Sequence, residues 1–190
     1  GRSFFAGRIG EMVASPVFTL VDDPTDPRHF AASPFDGEGL ACRRNSLING
    51  GLLRGFVYDT VSGRRAGVAS TGSAQRGGVG GSPSAGVRAL QLQPGSKSQE
   101  EIFREIGDGF FIESLIGVHS GVNPISGDFS VNLDLAYRIR HGAIVGRIKD
   151  TMIAGNVYRI LNAPLGLGAD SRWIGATWTP SLRLQEISIT

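Results

Sequence analysis

Cysteine is nearly missing from this chain: Cys42 is the single one in 190 residues. An internal disulfide is therefore excluded, and so is a zinc clip made of paired CxxC motifs. A chain without disulfides suits a reducing compartment, and the expected location is the cytoplasm. Lysine is as scarce, with only Lys97 and Lys149, so the basic charge is almost all arginine. No stretch approaches the roughly 18 consecutive apolar residues of a spanning helix, and no membrane association is expected. Neither sign of charge dominates. Lys plus Arg number 19 against 17 Asp plus Glu, a net charge of +2, too little for a strong pull on nucleic acid or anionic lipid. The chain opens Gly1-Arg2-Ser3 with neither an initiator Met nor a signal-peptide pattern, and reads as a piece of a longer protein.

The usual catalytic signatures are missing too. His29, His119 and His141 are far apart, and no HExxH places two of them on one helix face. There is no GxSxG elbow, and Cys42 has no histidine close in sequence. The run RGGVGGSPSAG after Gln75 has no GK[ST] and no βαβ context, so it is not a phosphate loop. Its single Arg-Gly-Gly is thin support for an RNA contact, and Gly77 to Ala85 reads as a surface loop. Gly166-x-Gly168 has no dinucleotide-binding context.

What the chain has in excess is glycine, 28 residues of 190, about twice ordinary usage. Without a collagen period this means many turns. The fold expected is mainly β, a β-rich α+β arrangement. Antiparallel hairpins would form a sandwich or barrel-like core, with a few short helices. The clearest strand is Phe129 to Ile139, where Phe129, Val131, Leu133, Leu135, Tyr137 and Ile139 alternate with mostly polar residues. His141-Gly142 permits a tight reversal into Ala143 to Ile148. A second hairpin is expected between Asn45 and Tyr58, turning at Asn49-Gly50, which suits the positive φ of a type I′ turn.

Shorter strands are expected at Val17–Val21, Val87–Leu92, Phe110–Ile116 and Trp173–Trp178. A terminal strand should run from Leu182 to Ile189, with a slip in phase that a bulge would absorb. Two helices have strong signals. Asp59 can cap Thr60–Ala66, closed by Gly67. Ser98 with Glu101 forms a capping box for a helix that ends at Gly107. Thr151 to Leu161 should pass from strand to short helix, and Ser3 to Val13 is a weak helix weakened further by Gly7 and Gly10.

One patch has possible chemistry. In Ala32 to Arg44, Asp36 and Glu38 lie two apart between glycines, with Arg43 and Arg44 downstream. On an extended segment the carboxylates would share a face and form an acid/base pair or metal site. A solvated acidic turn paired with the arginines is the alternative.

Five motifs in register extend this reading: SPFDGEG (Ser33–Gly39), INGGLLRGFVYDT with SGRRAG (Ile48–Gly67), STGSAQR (Ser70–Arg76), NPISGDFS (Asn123–Ser130) and PSLRLQEISI (Pro180–Ile189). Together they resemble the C-terminal domain of the TldD/PmbA family, also labelled modulators of DNA gyrase, and the resemblance covers residues 1–190 as a single domain. The N-terminal domain would then be missing from this chain. It implies intracellular proteolysis and peptide maturation by a TldD–TldE heterodimer, TldE being the PmbA subunit. In the TldD subunit an HExxxH helix and a downstream Cys would hold Zn²⁺, with Glu as general base on the bound water.

The chain departs from that pattern. The HExxxH helix would lie before Gly1, and the ligand Cys, expected near Leu165 to Gly175, is not there. SPFDGEG and Ile112 to Ser130 look more like the PmbA branch, which lacks the zinc motif. The resemblance therefore implies a non-catalytic subunit without a cofactor of its own. Its partner would be a zinc-bearing TldD-like subunit or a second copy, and unfolded peptide its substrate. Residues expected to line the peptide chamber are Asp36, Glu38, Arg43, Ser70, Thr71, Gly72, Arg76, Gly127 and Asp128. Two alternatives stay open: a zinc peptidase subunit whose motif precedes residue 1, and a module that binds gyrase or nucleic acid.

Overall fold

The structure is a computed structural model describing residues 3–78 and 80–190; the expected glycine loop's Val79 and the terminal Gly1-Arg2 lie outside the described residues. Among the described residues strand dominates, in two larger open sheets and two small two-stranded ones, and no barrel closes. The six-stranded sheet runs in the order 172–174, 177–179, 90–92, 20–22, 45–49, 52–53. Its pairs are antiparallel except 177–179 beside 90–92, which is parallel.

The other sheet is built on the long strand Asp128–Arg140. Gly109–Ile116 lies along one side of it, and Ala143–Ile148 and Met152–Asn156 share the other. His141 and Gly142, with φ of 49° and 75°, make the tight turn the sequence predicts, and Arg140 pairs with Ala143 across it. The turn docks on the preceding helix end: His141 N–H donates to Asp108 and Gly142 N–H to the Gly107 carbonyl. Val131 and Leu133 are buried as alternation requires, but so is Ala136 of the opposite phase. Ala136 is paired with Ile112 on one side and Ile148 on the other. So small a side chain is easily covered by two large neighbours.

Both helices with cap signals form as expected. Thr60–Ala66 starts at Asp59 and ends on Gly67 in the left-handed conformation, and Gln99–Ile106 starts at the reciprocal Ser98–Glu101 box. Met152–Asn156 passes directly into the helix Val157–Asn162.

Four expectations need correction. Ser3 to Val13 makes turns without a helix, with Gly7 and Gly10 at positive φ. The second hairpin turns at Gly50-Gly51 rather than Asn49-Gly50, because Asn49 pairs with Leu52 and both glycines take positive φ. Trp173 to Trp178 is two strands: Gly175 at φ 58° folds the segment so that Trp173 pairs with Trp178. The slip near the C-terminus is a break, where Glu186 at φ 61° separates Leu182–Arg183 from Ser188–Ile189, and the two pieces join different sheets.

Two apolar clusters hold the sheets. Val13, Ala14, Phe18, Ile48, Leu53, Leu92, Ile160, Leu165 and Leu167 form one; Val131, Leu133, Ala136 and Ile153 form the other. Phe129 and Ile187 pack against both, so the two sheets share a seam.

Candidate functional site

Asp36 is 8% exposed and sits in a turn closed by its own N–H donating to the Leu40 carbonyl. Its Oδ1 accepts the N–H groups of Glu38 and Leu40, each at 2.9 Å, and its Oδ2 accepts that of Ala74 at 3.0 Å. Glu38 points elsewhere. Its Oε2 accepts the amide and hydroxyl of Thr60 at 2.9 and 2.7 Å, at the start of the Thr60–Ala66 helix. A carboxylate there satisfies an otherwise orphaned helix N–H and complements the dipole. The two acids therefore hold separate backbone targets and do not form a pair that shares a proton or metal.

The segment Ser70–Arg76 is drawn into the same cluster. Arg43 Nη2 donates to the Ser70 carbonyl at 2.6 Å. The Ser70 hydroxyl donates to the Tyr58 carbonyl, and the Thr71 hydroxyl both donates to that carbonyl and accepts the Tyr58 N–H. Arg76 Nε donates to the Gly37 carbonyl at 2.6 Å, and Gly37 N–H donates to that of Ala74. Gly72, at φ 68°, lies so close to Ala41 that a Cβ would be 2.2 Å from its carbonyl oxygen. Asp36, Glu38, Arg43, Ser70, Thr71, Gly72 and Arg76 thus form one hydrogen-bonded, tightly packed unit.

Gly127 and Asp128 belong to another unit. Asp128 accepts from the Asn156 side-chain amide at 2.7 Å; that amide, followed by the Ser126 hydroxyl, holds the Asp128 carboxyl below the usual range. Gly127, at φ 78°, lies against the Tyr158 ring. Asn156 also caps the Val157–Asn162 helix, accepting from the Tyr158 and Arg159 amides. Among the described residues no side-chain hydrogen bond joins this unit to the Asp36 cluster.

A third polar group escaped the sequence reading. Asp26, buried at 8% exposure, accepts three hydrogen bonds from the Arg28 side chain and one from the Gln91 amide at 2.7 Å. Arg28 lies 4.9 Å from the centroid of the Trp178 ring. The only hint in the sequence is an Asp and an Arg two apart in a proline-flanked loop; Gln91 is 65 residues away. The Arg28 guanidinium holds the Asp26 carboxyl down to about 2 from an ordinary 3.8. A carboxyl depressed in the folded state stabilises it fully above about pH 4, and the contribution is lost as pH falls toward 2. Allowing for screening, wild type should lose on the order of 1–2 kcal/mol across that window. Urea midpoints between about pH 2 and 5 should show the loss, flattened in Asp26→Asn; parallel curves would remove Asp26 from the account.

His29 is 4% exposed and packed against Phe30 and Trp173, with ring centroids 4.6 Å apart in each pair. Burial pushes the Cys42 thiol up, away from the thiolate that a nucleophile or metal ligand requires.

A family model described as the PmbA/TldA metallopeptidase C-terminal domain matches residues 1–190. The chain belongs to this family. TldE from Thermococcus kodakarensis has the same fold, with a TM-score of 0.90 at 32% identity over 99% of this chain and 43% of that one. A metalloprotease of Methanothermobacter thermautotrophicus is 30% identical over 172 residues, 90% of this chain and 37% of the relative. A metalloprotease TldD homologue of Buchnera aphidicola is 29% identical over 170 residues, 90% of this chain and 35% of that protein. The chain spans less than half the length of these relatives.

In the loop where a ligand Cys is expected, Leu165 and Leu167 are buried in the apolar core. Burial pushes the Asp170 carboxyl up, but the hydroxyl and amide of Ser181, which occupy its two oxygens, together with its own backbone amide and the nearby Arg172 charge, hold it below its ordinary value. Among the described residues no group of three or more His, Cys, Asp or Glu converges as a metal site. The described residues do not by themselves offer the ligand set of a zinc centre.

Proposed function

We propose that this domain belongs to a PmbA/TldE-like subunit that contributes walls, and no catalytic group, to a chamber in which a TldD-like partner cuts unfolded peptide. The observation that carries the reading is the loop Leu165–Gly175: it has no Cys, and its one acid is spent on Ser181. Likeness to TldE at 32% identity supports it. So does the side-chain economy of the Asp36 cluster. Its carboxylates anchor backbone, which suits a rigid wall better than acid/base chemistry.

The test uses the full-length protein that carries this domain. It should copurify with a TldD-like subunit as a heterodimer, bind no stoichiometric zinc, and cleave peptide only when that subunit is present. Stoichiometric zinc, or cleavage by the protein alone, would overturn the reading. Such a result would establish the alternative favoured by the TldD homologue match, a catalytic subunit with its HExxxH before residue 1.

A further inference from the structure

A cleft of about 440 Å³ opens beside the Asp26–Arg28 pair, bordered among others by Arg44, Gln93, Ser171 and Trp178. That volume suits one or two residues of a peptide. Its hydrogen-bonding groups are unevenly spent. Asp26 has both oxygens occupied by Arg28 and Gln91, and the Oδ1 of Asp23 takes both the amide and hydroxyl of Thr25. Arg28 is committed to Asp26 and stacked on Trp178.

The donors, by contrast, are largely free. Arg44 is exposed and makes no ion pair or side-chain hydrogen bond among the described residues. The Ser171 hydroxyl is buried with no partner. Behind Trp178, outside the lining of the cleft, the aromatic stack holds two more unpaired donors. Trp173 lies 5.5 Å from Trp178 and His29 4.6 Å from Trp173, and the indole nitrogen and His29 Nε2 are both buried and unpartnered. His29 Nδ1 accepts the Ala31 N–H, so in the neutral ring the proton is on Nε2. A buried hydroxyl left unpaired is costly, and Ser171 beside the unpaired Arg44 calls for a ligand that brings acceptors to the cleft.

We infer that this cleft is a carboxylate subsite for peptide, with Arg44 supplying the charge and the buried Ser171 hydroxyl a directed hydrogen bond. Trp178 and Pro94 give the adjoining side chain an apolar surface. The inference rests on the proposed peptide-handling role and names the chemical group of the peptide this wall would hold. The carboxylate belongs either to the peptide C-terminus or to an acidic side chain.

Three N-acetylated pentapeptides of Ala and Gly separate the possibilities: a free C-terminal acid, its C-terminal amide, and an amide with a central Glu. Binding to the full-length protein is read from tryptophan fluorescence. The free acid should bind about tenfold tighter than its amide, as one charge-assisted contact allows. Arg44→Gln should abolish that ratio, and Ser171→Ala should reduce it severalfold. A Glu-containing amide that matches the free acid assigns the site to acidic side chains. A ratio near one in wild type, or one that survives Arg44→Gln, overturns the subsite. Acid-selective binding that persists in a protein unable to pair with a TldD-like subunit would overturn the parent role and leave the subsite standing.

Discussion

Gly72→Ala is expected to destabilise the domain by about 3–5 kcal/mol, because two independent costs fall on one added methyl group. The left-handed conformation at φ 68° costs an L-residue about 1–2 kcal/mol. The remainder comes from contact: the Cβ would lie 2.2 Å from the Ala41 carbonyl oxygen and 3.2 Å from the Cα of Cys42, and both are backbone atoms that no rotamer change can move. Gly39 is the internal control. It has φ 80° and nothing within 4 Å of a built Cβ, so Gly39→Ala should cost only the conformational part. Denaturant midpoints for the two variants measure the difference directly. Equal losses would mean that Ser70–Arg76 is not held against Ala41 and that the cluster is looser than its hydrogen bonds imply.

How much of this was legible in the sequence depended on how local the deciding physics is. The caps at Asp59 and Ser98 act over three residues, and both helices begin where those residues predict. The His141-Gly142 turn is likewise decided by two adjacent conformations. Trp173 to Trp178 misled because every residue except Gly175 suits a strand, and only the observed pairing of Trp173 with Trp178 shows a reversal. The candidate site was legible as a list of residues but not as a geometry. Asp36 and Glu38 share a face on paper, yet their partners are Ala74, 38 residues away, and Thr60, 22 residues away. No spacing rule reaches that far, and the Asp26–Gln91 bond was invisible for the same reason.

Asp36 gives the second large effect and distinguishes a structural acid from a chemical one. Asp36→Ala strips acceptors from three N–H groups at once, one of them on the fully buried Ala74. An unsatisfied buried donor costs about 1–3 kcal/mol; water can reach the two in the turn more easily than Ala74, so a total near 3–4 kcal/mol is expected. Asp36→Asn should cost about half that. Its remaining carbonyl oxygen can keep the Glu38 and Leu40 amides, while its NH₂ would face the Ala74 N–H donor to donor. Glu38→Gln should cost under about 1 kcal/mol, since one oxygen suffices for both Thr60 donors. Peptide cleavage by the full-length protein with the proposed TldD-like partner is the second readout. With anchoring acids, activity follows stability and Glu38→Gln retains it. If Glu38→Gln abolished cleavage without changing the urea midpoint, the carboxylate would have to act on substrate, and the wall assigned to this cluster would become part of the catalytic machinery.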